Sequence, residues 1–151
     1  MTPRRVGLLG GTFDPPHVGH LVAARDVLER LELDELRFVV AARPPHKPER
    51  APVPGEVRAR MLEACVDPEA GPDADDAGRE TPEEGDAAGL RVCRLELERE
   101  GPSWTVETLR ELRRREPEVE WVLVIGADQL AGFAAWREPE EIVRLATLAV
   151  M

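Results

Sequence analysis

The chain has almost no lysine, little cysteine and no long apolar run. Lysine occurs once, at Lys47, beside nineteen arginines among 151 residues. The two cysteines, Cys65 and Cys93, are too few for a disulfide framework and lack the spacing of a zinc site. Both are expected in the core as small apolar residues. No apolar run approaches the roughly 18 residues that a membrane span requires. The stretch after Arg4 and Arg5 is too short for a signal peptide, so a cytoplasmic protein is expected. Basic residues are also in deficit, 20 against 30 acidic ones, for a net charge of −10. A uniform surface of that charge repels nucleic acid and anionic membranes, and neither is expected as a partner. It would repel phosphate ligands too, so the placement of the charge matters more than its total. A hydrophobic content of 42% is sufficient for a core and excludes wholesale disorder. The length predicts a single domain over residues 1–151.

The charge is unevenly placed. Residues 67–89 carry nine acidic residues and one arginine, with four glycines, three prolines and no apolar periodicity. They read as a flexible acidic surface insertion. The other 128 residues sum to only −2, so the acidity belongs largely to one segment. Deleting residues 68–88 should raise the pI while leaving affinity for a phosphate ligand nearly unchanged. All three histidines, His17, His20 and His46, fall with Lys47 within residues 17–47. Either an arginine-favouring genome left a chance cluster, or these four were kept for chemistry that arginine cannot supply.

Apolar strings alternate with helical patterns along the chain. Residues 6–10 read as a buried strand running into a tight turn. A helix follows, with Val18, Leu21, Val22, Leu28 and Leu31 on one face. Residues 36–40 read as a second strand and 41–54 as a proline-rich loop. A second helix is expected to turn Val57, Met61, Leu62 and Cys65 inward. Residues 91–98 read as a strand, and 105–115 as a helix with Val106, Leu109 and Leu112 as its apolar stripe. Residues 121–125 are apolar without interruption, as in a strand buried on both faces. A helix over 138–146 and a strand over 148–151 close the chain. The alternation predicts an α/β fold with a parallel sheet and right-handed crossovers. In such sheets ligands bind beyond the carboxyl ends of the strands, at the switch in strand order. The turns after Leu9 and Ile125 are therefore the places for a site.

The segment Gly10-Gly11-Thr12-Phe13-Asp14-Pro15-Pro16-His17-Val18-Gly19-His20 sits where the first strand meets the first helix. Glycines let backbone N–H groups approach an anion, and a helix N-terminus adds positive potential. The pattern is neither the Rossmann glycine fingerprint nor a P-loop. His17 and His20, three residues apart, direct both imidazoles the same way from the first helical turn. That suits donation to phosphate oxygens. A metal could also use such a pair, but no third ligand lies nearby in sequence.

This string resembles the nucleotidylyltransferase superfamily, marked by His-x-Gly-His after the first strand. It is most similar to the bacterial nicotinate mononucleotide adenylyltransferases. Pro44-Pro45-His46-Lys47, Gly101-Pro102-Ser103-Trp104-Thr105, and Ile125-Gly126-Ala127-Asp128-Gln129-Leu130 followed by Trp136 resemble three further motifs of that family, in the same order. The resemblance implies a Rossmann-like nucleotidylyltransferase fold with a five-stranded parallel sheet flanked by helices. It implies adenylyl transfer from ATP to nicotinate mononucleotide, giving deamido-NAD and pyrophosphate. His17, His20 and Lys47 would carry catalysis, with the lysine as a mobile charge for the β- and γ-phosphates. Gly10, Gly11, Thr12 and Phe13 would cradle the nucleotide. Gly126 and Asp128 would serve its ribose, although Asp128 also suits a helix N-cap. Thr105 would meet the nicotinate carboxylate, where it also suits helix capping. Trp136 would stack on the pyridine ring, or simply pack in the core. Arg137 adds positive charge beside it. Mg2+ would arrive with ATP, held mainly by phosphates and water.

Two departures qualify the resemblance. Ala41 and Ala42 stand where the family often carries a polar residue such as Asn. The family's closing Ile-Ser-Ser-Thr-x-Ile-Arg segment, which holds the triphosphate, is missing before Met151. A fragment of a normal enzyme, a catalytically silent nucleotide-binding domain, and transfer to nicotinamide mononucleotide therefore all stay open at this point.

Overall fold

The computed structural model describes residues 2–42, 53–67 and 89–151. His46, Lys47 and all but the two end residues of the expected acidic insertion lie outside them. Five strands form one sheet: β1 Arg5–Gly11, β2 Glu35–Val40, β3 Leu90–Cys93, β4 Glu120–Ile125 and β5 Thr147–Val150. Their order is β3-β2-β1-β4-β5, and every pair is parallel. The helices are α1 Val18–Arg30, α2 Gly55–Val66, α3 Leu95–Glu98, α4 Thr105–Arg115, α5 Ala127–Gly132 and α6 Pro139–Leu145, with a 3-10 turn at Phe133–Ala135. The expected Rossmann-like architecture is present.

Two cores fill the two faces. Leu36, Phe38, Val40, Val122 and Val124 pack with Ala24 and Val27 of α1 and with Ala59, Leu62 and Val66 of α2. Val6, Leu8, Trp121, Leu123 and Ile125 pack with Val106, Leu109 and Leu112 of α4 and with Ile142 of α6. Alternate residues of β4 thus serve opposite cores, because side chains along a strand point to opposite faces. A central strand covered on both sides needs an uninterrupted apolar run, and all of Trp121–Ile125 is buried.

Three expectations need correction. In α2 the row Val57, Met61 and Cys65 faces outward, while Arg58, Leu62 and Val66 face inward with Ala59. Rows at i, i+4 spacing differ by one residue, about 100° of rotation, and the pattern did not choose between them. Cys65 is consequently exposed; Cys93, free as well, is half-buried. In α1 the inner face is centred on Ala24 and Val27, with Leu21, Leu28 and Leu31 beside it, while Val18 and Val22 are exposed. The third strand stops at Cys93. Leu95–Glu98 instead forms a helical turn, closed by Leu97 N–H and Glu98 N–H donating to the Arg94 carbonyl.

The amino ends of the strands are held by charge. Glu35, 2% exposed, accepts from Arg4, Arg37 and Arg91. Arg37 also grips Glu116 with both terminal nitrogens, at 2.6 and 3.0 Å. The opposite, carboxyl ends carry the glycine-rich turns.

Candidate active site

The order in which strands are added reverses between β1 and β4. From β1 the chain steps outward to β2 and β3, then returns past β1 to β4 and β5. Leu9 is in register with Val124, so the turns after Gly11 and Ile125 leave the sheet side by side. This is the crevice in which doubly wound sheets bind ligands.

On the β1 side the site is built around His20. His17 is the N-cap of α1, and its backbone N–H donates to Nδ1 of His20 at 3.1 Å. An Nδ1 that accepts leaves the ring proton on Nε2, free to donate outward. The two imidazoles stack with centroids 3.7 Å apart and planes 25° apart. Phe13, 4% exposed with φ of 50°, presents its ring edge-on to His20 at 4.9 Å. A left-handed conformation is uncommon for a bulky residue, and here it accompanies a buried ring packed against both His20 and Phe38. Burial, and then the neighbouring His17, hold the His20 imidazole below its ordinary pKa. Before any phosphate is bound, both its environment and its hydrogen bond therefore favour a neutral ring.

The glycines have distinct steric reasons. A Cβ on Gly19 would lie 2.9 Å from the His17 ring, and one on Gly11 would lie 2.9 Å from the Phe13 ring. A Cβ on Gly10 would meet nothing within 4 Å. The first two glycines make room for neighbouring rings, while Gly10, inside β1, faces open space. Thr12 contributes its carbonyl to the interior, where it accepts from Arg58 at 2.6 Å. Asp14, exposed, accepts from Val53 N–H at 3.2 Å.

The β4 side repeats the pattern more simply. Gly126 is the N-cap of α5, and its N–H donates to Oε1 of Gln129 at 2.9 Å. Asp128 lies inside the first turn, which corrects the capping alternative. A Cβ on Gly126 would lie 2.5 Å from Oδ1 of Asp128, so the glycine lets this carboxylate fold back over the turn. Asp128 is exposed.

A third group comes from the loop before α4. Trp104 is the N-cap and Thr105 the first helical residue, so Thr105 does not cap the helix. Ser103 Oγ accepts the Ala42 N–H at 3.1 Å, tying this loop to the end of β2. Behind it Glu96, 7% exposed, accepts from Thr108 Oγ1 at 2.7 Å and is hydrogen-bonded to Ser103. Burial pushes the Glu96 carboxyl up; the bonds from Thr108 and Ser103, and the charge of Arg99, oppose that. Arg137 places its guanidinium 5.3 Å from the centroid of Trp104, a cation–π distance. Trp136 is half-buried against Phe133, ring centroids 5.3 Å apart.

The structure thus joins His17, His20, Phe13 and Gly11 in one contacting group, with Gly10 and Thr12 on either side of Gly11 in the chain, and carries Gly126 and Asp128 on the adjacent strand end. Thr105, Trp136 and Arg137 belong to the face covered by α4 and α6. Lys47 lies outside the described residues. Sequence reasoning passed over Arg58, Glu96 and Trp104. The first two are charged residues turned inward, which no hydropathy pattern announces; Trp104 stands within a motif already singled out.

A fully parallel doubly wound sheet, with a glycine-rich turn and a histidine-bearing helix N-terminus at its switch point, is the architecture of a nucleotide-binding domain. The chain belongs to the cytidylyltransferase-like family of nucleotidyltransferases, whose model matches residues 8–151. It is 42% identical over 147 residues to a Thermus thermophilus protein named a probable nicotinate-nucleotide adenylyltransferase, covering 97% of this chain and 68% of that protein. A Methylibium petroleiphilum protein of the same name is 40% identical over 147 residues, and the chain spans 60% of its length. Among solved structures, the Plasmodium falciparum nicotinic acid mononucleotide adenylyltransferase complexed with NaAD superposes with a TM-score of 0.70. That match covers 98% of this chain and 74% of that one at 13% identity, and it establishes the shared fold.

Proposed function

We propose that the chain transfers the adenylyl group of ATP to nicotinate mononucleotide, producing deamido-NAD and pyrophosphate. A phosphate oxygen of the mononucleotide attacks the α-phosphorus of ATP in line. The bond from that phosphorus to the bridging oxygen breaks, and pyrophosphate leaves with the electron pair. No covalent enzyme intermediate is required, so the protein contributes position and charge stabilisation.

The observation that carries this reading is the His17–His20 pair. The backbone N–H held by Nδ1 of His20 orients that ring's remaining donor, Nε2–H. A fixed donor costs no reorganisation as charge builds on the phosphate oxygens. His17, stacked on it, supplies a second imidazole at the same helix end. Gly10, Gly11, Thr12 and Phe13 form the turn under the phosphates, and Lys47 reaches the β- and γ-phosphates. Gly126 and Asp128 hold the ribose. Thr105, Trp136 and Arg137 receive the nicotinate half, the tryptophan by stacking and the arginine by charge.

Mg2+ fits this donor set as a companion of ATP. Among the described residues no group of three His, Cys, Asp or Glu could enclose an ion. The exposed Asp14 beside the turn offers a carboxylate through water, with phosphates supplying the remaining oxygens. Bound there, the ion neutralises phosphate charge.

The test is pyrophosphate release by the purified chain with ATP and Mg2+, with nicotinate and nicotinamide mononucleotide compared in parallel. Release with the nicotinate substrate supports the reading. A preference for the nicotinamide substrate reassigns the acceptor, and ATP binding without release with either marks a silent nucleotide-binding domain.

A further inference from the structure

Arg58 is a cation on the inner face of a helix, with 0% of its surface exposed. Its Nη1 donates to the Thr12 carbonyl at 2.6 Å and to the Ala41 carbonyl at 2.8 Å, and its Nε donates to the Val53 carbonyl at 2.7 Å. Those oxygens come from the glycine-rich turn, the end of β2 and the segment entering α2. Ala41 N–H in turn donates to the Gly11 carbonyl at 3.0 Å. One guanidinium therefore binds three chain segments beneath the proposed phosphate site.

Among the described residues its charge is poorly compensated. Its three acceptors among these residues are neutral carbonyls, and Nη2 is buried without a hydrogen-bond partner there. Among the described residues the carboxylate that acts on it is Asp14, through space. Asp14 itself is exposed. Burying a cation against neutral groups carries a desolvation cost, and removing a partner from such a site is costly in folded proteins. Arg37 provides the contrast, because it is paired with both Glu35 and Glu116. A phosphate ligand on the turn would bring the missing negative charge.

We propose that Arg58 is a positioning residue for the phosphate site. It fixes the Gly10–Phe13 turn through the Thr12 carbonyl and places beneath that turn a permanent positive charge that the nucleotide's phosphates complete. This deepens, and rests on, the nucleotide-binding reading above. It also accounts for phosphate affinity in a chain of net charge −10.

The test compares Arg58→Gln, which keeps amide donors but removes the charge, with Arg58→Lys, which keeps the charge but loses the planar fork. Affinities for ATP and for adenosine are measured by calorimetry on the full chain, with folding followed by circular dichroism. Arg58→Met replaces the glutamine variant if that one does not fold. The expected result is a loss of roughly tenfold or more in ATP affinity in the neutral variant, from the Coulomb term alone. Adenosine affinity should change less than about twofold, and the lysine variant should keep an ATP-to-adenosine ratio within about threefold of the parent. A purely structural role would lower the melting temperature and leave that ratio unchanged in the neutral variant, which overturns the proposal. A parent chain that binds no ATP overturns the nucleotide reading along with it; a parent that binds ATP, with a neutral variant equal to it, overturns this inference alone.

Discussion

The backbone N–H of His17 donates to Nδ1 of His20 at 3.1 Å, and the two rings stack at 3.7 Å. One hydrogen bond between neighbours in the first turn thus settles which nitrogen of His20 can face a ligand. Ring stacking then limits how both imidazoles can turn.

If His20 donates from Nε2 to charge developing on phosphate, His20→Ala should lower turnover by roughly 10²-fold or more. Steady-state pyrophosphate release measures this, and near-normal turnover would remove the assigned role.

The protonation of His20 should depend on the ligand. In the free chain its imidazole should titrate below the ordinary 6.5. ATP should move it upward, because nearby phosphate favours the charged ring. The unfolded chain binds the proton more readily than the folded one in this range. Stability from this group is therefore complete above 6.5 and is lost as pH falls through the folded-state pKa. Histidine NMR with and without ATP reads the shift, and His20→Gln should flatten that part of the stability profile. An upward shift in the free chain would contradict the geometry.

Gly19→Ala separates activity from stability. The new Cβ would lie 2.9 Å from the His17 ring and must displace it. Turnover should fall roughly 10- to 10²-fold, the scale of a small misplacement at a reacting centre. The melting temperature should hold or rise, since alanine is the better helix former. Unchanged turnover would show that the position of the His17 ring is immaterial.

Gly126→Ala should act on ATP binding. Its Cβ would lie 2.5 Å from Oδ1 of Asp128, so the carboxylate has to swing away. The KM for ATP should rise roughly tenfold, the scale of a lost charged hydrogen bond, and Asp128→Ala should match it. If Asp128→Ala alone weakens ATP, the glycine is not what places the carboxylate.

Glu35→Ala should do the reverse of the site variants. It leaves Arg37 without its buried partner, with only the partly exposed Glu116 remaining, and should cost about 3–5 kcal/mol in urea unfolding. Activity per folded molecule should persist, because Glu35 begins β2 at the end of the sheet opposite the site.

Much of the layout was legible in advance, and the particular misses are instructive. β4 read correctly because a run of five apolar residues suits only a strand covered on both faces. The turns after β1 and β4 were legible because glycines follow each apolar run before a helix begins. The faces of α1 and α2 were less legible, since adjacent rows of a short helix carry similar apolar content. Val22 and Met61 look as apolar as Leu21 and Leu62, yet only the latter pack against the core.

Taken alone, the amino-acid sequence determined the alternation of strands and helices, the parallel sheet and the glycine-bearing turns at its switch point. These depend on local periodicity and on residues with few substitutes. The tertiary structure decided which helical rows turn inward, that Cys65 stays outside, and that Arg58 and Glu96 are buried. Hydropathy assigns a charged side chain to water unless partners await it inside. Those partners here are the carbonyls of Thr12, Ala41 and Val53 for Arg58, and Thr108 and Ser103 for Glu96. Most lie far away along the chain, and only folding brings them within hydrogen-bonding distance.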